Sequence, residues 1–70
     1  MKKIELNSIN KFVGTDIIFR YGSDLKCRVM MSMGPTYFLI HEKNMVAYIY
    51  EGKIHNNKTG IIIPASLYEL

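Results

Sequence analysis

Between Gly22 and Gly60 the chain is punctuated by turn chemistry: Gly22-Ser23-Asp24, Gly34-Pro35, Glu42-Lys43-Asn44, Glu51-Gly52 and Asn57-Lys58-Thr59-Gly60. The intervals left between these turns are short, and they are filled with β-branched and aromatic residues. Such intervals suit strands, which average about 5–6 residues, better than helices, which average about 11. A chain cut this finely folds mainly as β-structure.

The hydrophobic period agrees. From Thr15 to Tyr21 apolar and other positions alternate, with Ile17, Phe19 and Tyr21 on one face and Asp16, Ile18 and Arg20 on the other. After the Gly22 turn, Leu25, Cys27, Val29, Met31 and Met33 share a face opposite Lys26, Arg28, Met30 and Ser32. This predicts a strand with one buried side, ended by Gly34-Pro35 because proline cannot donate to a ladder. Tyr37–His41 is apolar on both faces and is expected to lie centrally, with Phe19 and Phe38 in the core and Met31 and Met33 as core fillers. Met45–Tyr50 and Lys53–Asn56 flank Glu51-Gly52 as a hairpin. Ile61–Ile63 reads as a last short strand stopped by Pro64, and the tail Ala65–Leu70 as a helical turn or a cover over one end. At the other end, Asn7 or Ser8 is placed to cap a short helical turn, with a strand over Lys2–Leu6 as the competitor.

The expected fold is therefore a mainly β, small, five- to six-stranded SH3-like or Sm-like barrel of antiparallel strands, with a short N-terminal helical turn. Closure of this kind removes exposed edges. Its 70 residues make a single domain, 1–70. Chains this small bury a modest share of their surface, and a disulfide, a metal or a partner chain often makes up the difference. Cys27 is the one cysteine, which excludes an internal disulfide and suits a reducing compartment. Met1-Lys2-Lys3 is followed by no continuous apolar stretch, and no run approaches the roughly 20 residues of a membrane span. The expectation is a cytoplasmic protein without a membrane partner, with homo-oligomerisation as an open alternative.

Catalytic signatures are missing. The sequence has no Gly-rich phosphate loop, nucleophile elbow or paired histidines at helical spacing. The spacing of Cys27, His41 and His55 matches no structural zinc pattern. No enzymatic activity, metal or cofactor is expected.

Charge is asymmetric. The net +3 arises in residues 1–35, where Lys2, Lys3, Lys11, Arg20, Lys26 and Arg28 face Glu5, Asp16 and Asp24, while residues 36–70 balance. Cations interleaved with aromatics suit single-stranded nucleic acid, since bases stack on rings while cations neutralise phosphates. The candidate nucleic-acid site comprises Arg20, Lys26, Arg28, Tyr50, Lys53, His55 and Lys58, with RNA or single-stranded DNA as partner. The competing reading is a protein-interaction module anchored by Ile18, Met30, Tyr48 and Tyr50, since Met and aromatic side chains are enriched at interfaces. Ile-, Lys- and Asn-rich usage points to an AT-rich genome, and stand-alone domains this small are frequent in phages and mobile elements. On that reading the chain is an accessory or inhibitory protein docking on a larger host protein.

The stretch Glu5–Val29 (ELNSINKFVGTDIIFRYGSDLKCRV) resembles the first half of the Sm-like proteins, including the bacterial Sm-like RNA chaperone, and Gly60–Ser66 (GIIIPAS) resembles their last strand and its proline exit. The resemblance implies a five-stranded barrel, assembly into rings and RNA binding. The chain departs from the family by placing Cys27, Arg28 and Val29 where a bending glycine is usual. Its Lys53–Lys58 (KIHNNK) replaces a Tyr-Lys-His signature, and Met45–Asn57 holds an extra hairpin.

Overall fold

The computed structural model describes residues 1–32 and 34–70, so the expectation for Met33 lies outside the described residues. Strands β1 (Asp16–Tyr21), β2 (Ser23–Met31), β3 (Tyr37–His41), β4 (Asn44–Tyr50), β5 (Lys53–Asn56) and β6 (Ser66–Glu69) form one antiparallel sheet. Its order is β5-β4-β3-β2-β1-β6, a meander whose last strand returns beside the first. The sheet curls into a half-barrel around Ile17, Phe19, Cys27, Val29, Leu39, Ala47, Ile49, Ile54 and Leu67, all buried. No described helix is long and apolar enough to cross a membrane.

Turn chemistry sets the register. Gly22, at φ 79°, alone joins β1 to β2 and pairs Tyr21 with Ser23. Glu42-Lys43 and Glu51-Gly52 close two-residue hairpins with positive φ at both positions, 49° and 72° in the first and 53° and 72° in the second. This is the hairpin geometry whose twist matches that of the strands, and it favours Asn-Gly. Glu51→Asn is accordingly expected to stabilise the chain by about 0.5–1 kcal/mol, because glutamate is strained in the left-handed region and asparagine less so. Thermal melting checks this: a midpoint raised by roughly 3–6 °C is expected, and an unchanged or lowered midpoint counts against the turn assignment.

The N-terminal segment forms a 3-10 helix, Leu6–Phe12, in place of the single capped turn expected there. Leu6, Ile9 and Phe12 recur every third residue, the 3-10 period, so all three fall on the face that packs on the core. Neither Asn7 nor Ser8 caps it: the N-cap position is Glu5, with no side-chain cap bond. The competing strand survives as a single bridge between Lys3 and Tyr68.

Several expectations fail at the ends of the sheet. The tail is strand β6, with the Ile4 amide donating to the Leu67 carbonyl on its far side (2.8 Å) and the Glu69 amide to the Lys2 carbonyl (2.7 Å). Ile61–Ile63 is no strand but one bridge to His55, leaving Ile61 and Ile62 exposed. That segment bonds along β5 and then runs directly into β6, so one stretch of chain spans the open side of the half-barrel.

Met31 is 59% exposed and fills no core, because β1 begins opposite Arg28 and β2 runs on past its cover. Tyr21, at the other end of its strand, is also exposed. Phe38 pairs with Met30 and Tyr48 on the outer face, since its neighbours Tyr37 and Leu39 are the ones that face the core. A single sheet has nothing to cover the second side of β3, so two-sided apolarity there leaves a half-buried outer surface.

Cys27 is 1% exposed, and burial, aided by the Asp16 charge, pushes its thiol pKa up to about 11. Only the thiolate reacts. A disulfide reagent at pH 8 is therefore expected to label the folded chain far more slowly than the chain in denaturant, and equal rates would show an accessible thiol. The thiol stays protonated in the folded chain after the unfolded one has begun to ionise near pH 8.5, so its contribution to stability is complete below that pH. It is lost as pH rises toward 11.

Candidate nucleic-acid interface

The convex outer face of the sheet carries the candidate residues, and the hairpin registers decide their neighbours. The two-residue Glu51-Gly52 turn pairs Tyr50 with Lys53 and Tyr48 with His55. Paired residues in an antiparallel ladder point to the same side. The Tyr48 and His55 rings stack with centroids 4.9 Å apart and planes within 2°, and Tyr50 meets His55 edge-on at 6.5 Å. One strand further in, Phe38 pairs with Tyr48, and beyond it Met30 pairs with Phe38. The row His55–Tyr48–Phe38–Met30 thus crosses four strands, and none of its four side chains packs against the core cluster.

The His55 ring is held from its other edge as well. Its Nδ1 lies 3.1 Å from the Gly60 carbonyl, which can only accept, so Nδ1 carries the proton. The loop that presents this carbonyl is built on Asn56, whose side-chain oxygen accepts from the amides of Lys58 (2.8 Å) and Thr59 (3.2 Å). The Gly60 amide returns to the Asn56 carbonyl at 2.8 Å. Gly60 has φ 73°, and a side chain there would lie against the Tyr48 hydroxyl. One local scaffold therefore fixes the aromatic pair and the position of Lys58.

The remaining cations sit apart, on β1 and β2, with β3 between. Arg20 is held on two sides: Nε donates to Asp24 Oδ1 at 2.7 Å, Nη2 donates to Oδ2 at 3.1 Å, and the guanidinium lies 4.5 Å over the Tyr68 ring. The guanidinium holds the Asp24 carboxyl below the usual carboxylate range, and the carboxylate in turn raises the Arg20 pKa. Arg28 donates from Nε alone to Asp16 Oδ1, at 3.1 Å. Among the described residues Lys26, Lys53 and Lys58 form no ion pair.

Of the seven proposed contacts, Tyr50, Lys53 and His55 are brought together by the β4–β5 hairpin, while Lys58 stands in the loop at the far end of β5, beside Asn44, Met45 and Val46. Arg20, Lys26 and Arg28 form a second, partly neutralised group. Of the alternative interface residues, Tyr48 and Tyr50 share the aromatic patch. Ile18 and Met30 are not cross-strand neighbours, because the one-residue turn pairs Ile18 with Lys26 and leaves Met30 beyond the end of β1. Sequence reasoning missed Phe38 as a member of the outer row, although its alternation with Leu39 carried that signal.

No family model, curated protein or solved structure matches the chain. Among the described residues no three His, Cys, Asp or Glu side chains converge as a metal site would require. A stacked pair of planar rings beside free ammonium groups, on an open convex face, is equipped to hold flat, anionic ligands.

Proposed function

We propose that the chain is a small, non-enzymatic binding module that takes single-stranded nucleic acid, RNA or DNA, on the outer face of its sheet. The observation that carries this reading is the stacked Tyr48–His55 pair with Tyr50 edge-on and Lys53 paired beside Tyr50, the loop that carries Lys58 following directly on the same strand. Rings accept bases of any sequence on their faces, and lysines neutralise the phosphates between them. The Sm-like resemblance of Glu5–Val29 favours the same partner. Fluorescence anisotropy with mixed-sequence single-stranded RNA and DNA, at low and physiological salt, tests it. Micromolar binding that weakens steeply with salt is expected. Absence of binding at low salt overturns the proposal.

A second reading rests on a separate observation. Ile18, Met30, Phe38 and Ile40 are apolar, point outward and pack against no part of the core. Such a surface suits a protein partner, whether a larger host protein or further copies of the chain. Substituting Ile18 and Met30 with serine distinguishes the two readings, since it damages protein docking while leaving stacking and phosphate contacts in place.

A further inference from the structure

The opposite corner of the outer face holds a depression of about 340 Å3, where β1 and β2 meet the Glu42-Lys43 turn. Its polar lining is Asp16, Lys26, Arg28, His41, Glu42 and Lys43, with Ile40 beside them. We infer that this depression is a binding site for a phosphate-type oxyanion, formed by Lys26, Lys43 and the free end of the Arg28 guanidinium.

Three features carry the inference. First, the site is assembled by a contact between elements distant in sequence: His41 Nδ1 donates to the Lys26 carbonyl at 2.9 Å, clamping the end of β3 onto β2. Lys43 follows in a turn of fixed geometry, at φ 72°. Second, the cations are unequal in availability. Arg28 spends only Nε on Asp16, and its side chain is 57% exposed, so both terminal nitrogens of the fork remain for a ligand. Arg20 has the smaller reserve, since it spends both Nε and Nη2 on Asp24 and lies over the Tyr68 ring. Third, the carboxylates leave a positive balance. Asp16 is matched by Arg28, and Glu42 is set against two lysines, with its own side chain 83% exposed and 3.7 Å from His41 Nε2. An exposed carboxylate in that position is screened and can turn to solvent. Two ammonium groups and a guanidinium edge around a pocket several times the roughly 30 Å3 share of a water suit a tetrahedral, multiply charged anion better than a single carboxylate.

The anion has two sources, a free phosphate compound or the phosphodiester backbone of a nucleic acid. Only the second rests on the nucleic-acid reading. Amide chemical shifts of the intact chain, followed by NMR during titration with pyrophosphate and separately with an abasic deoxyribose-phosphate oligomer, test the site and separate the sources. Saturable shifts at Lys26, Arg28, His41 and Lys43 are expected, with affinity at least tenfold weaker in the Lys26→Gln, Lys43→Gln double variant. Both substitutions are at exposed positions, so spectral dispersion will confirm that the variant remains folded. Saturation with pyrophosphate alone keeps the site and assigns it to free phosphates, whatever the aromatic patch binds. Shifts that stay linear with concentration, or an affinity unchanged in the double variant, overturn it.

Discussion

Leu39→Ala is expected to remove about 3 kcal/mol of stability, within the 2–5 kcal/mol that large-to-small core changes cost. Leu39 is fully buried on β3, where it faces Val29 on one side and Ala47 on the other. Both neighbours are small, and the ladder holds their strands at fixed spacing, so the vacated volume cannot be refilled by local collapse. A domain of this size has roughly 4–10 kcal/mol in total, and each kilocalorie moves the melting midpoint of such a domain by about 4–8 °C. The expected midpoint therefore falls by about 12–24 °C. Ile18→Ala, on the outer face of β1, serves as the comparison: the side chain lies outside the core cluster, and its loss should cost well under half as much. Circular dichroism melts of the two variants decide the matter. Equal destabilisation would mean that the inside and outside of the sheet have been confused.

The contrast between these two positions shows what the sequence discloses and what it withholds. Strands β1 to β5 are legible because each hairpin is closed by local turn chemistry, and the period-2 pattern of Leu25, Cys27 and Val29 marks one inner face. The partners of the site residues on β4 and β5 are legible for the same reason, and those on β1 and β2 are not. A two-residue turn at Glu51-Gly52 fixes Tyr48 opposite His55, whereas Gly22-Ser23-Asp24 reads as a three-residue turn and hides the one-residue turn at Gly22 that sets Arg20 opposite Asp24. Strand β6 has no comparable signal. Ser66–Glu69 is short, it follows a proline, and it becomes a strand only because it meets β1, about 50 residues earlier in the chain. Ile61–Ile63 shows the reverse: its β-branched run has strong strand preference, yet the chain must leave β5 to reach β1, and one bridge is all that the crossing permits. Phe38 and Ile40 mislead for a third reason. Apolarity on both sides of a strand usually means two covering layers, and a single curled sheet supplies one.

The largest functional effect is expected at Tyr50, and it separates stacking from charge. Tyr50 is 40% exposed, beside Lys53 on the neighbouring strand and edge-on to the His55 ring. Base–aromatic stacking is worth about 1–3 kcal/mol per base. Tyr50→Ala should therefore weaken single-stranded nucleic-acid binding by about 5- to 150-fold and leave the dependence on salt unchanged, because every phosphate keeps its cation. Lys53→Gln with Lys58→Gln should behave in the opposite sense. Each phosphate left without its lysine flattens the log–log salt slope by about 0.7 for a single strand, so the double substitution reduces it by about 1.4 and lowers affinity most at low salt. Arg20→Gln should change little in either respect, since its guanidinium is already committed to Asp24 and Tyr68. Anisotropy titrations at several salt concentrations measure affinity and slope together. A Tyr50→Ala variant that binds as tightly as the parent would sink the stacking interface. If the Arg20→Gln variant were the one to lose the salt slope, the phosphates would have to run over β1, and the site would move to the opposite edge of the same face.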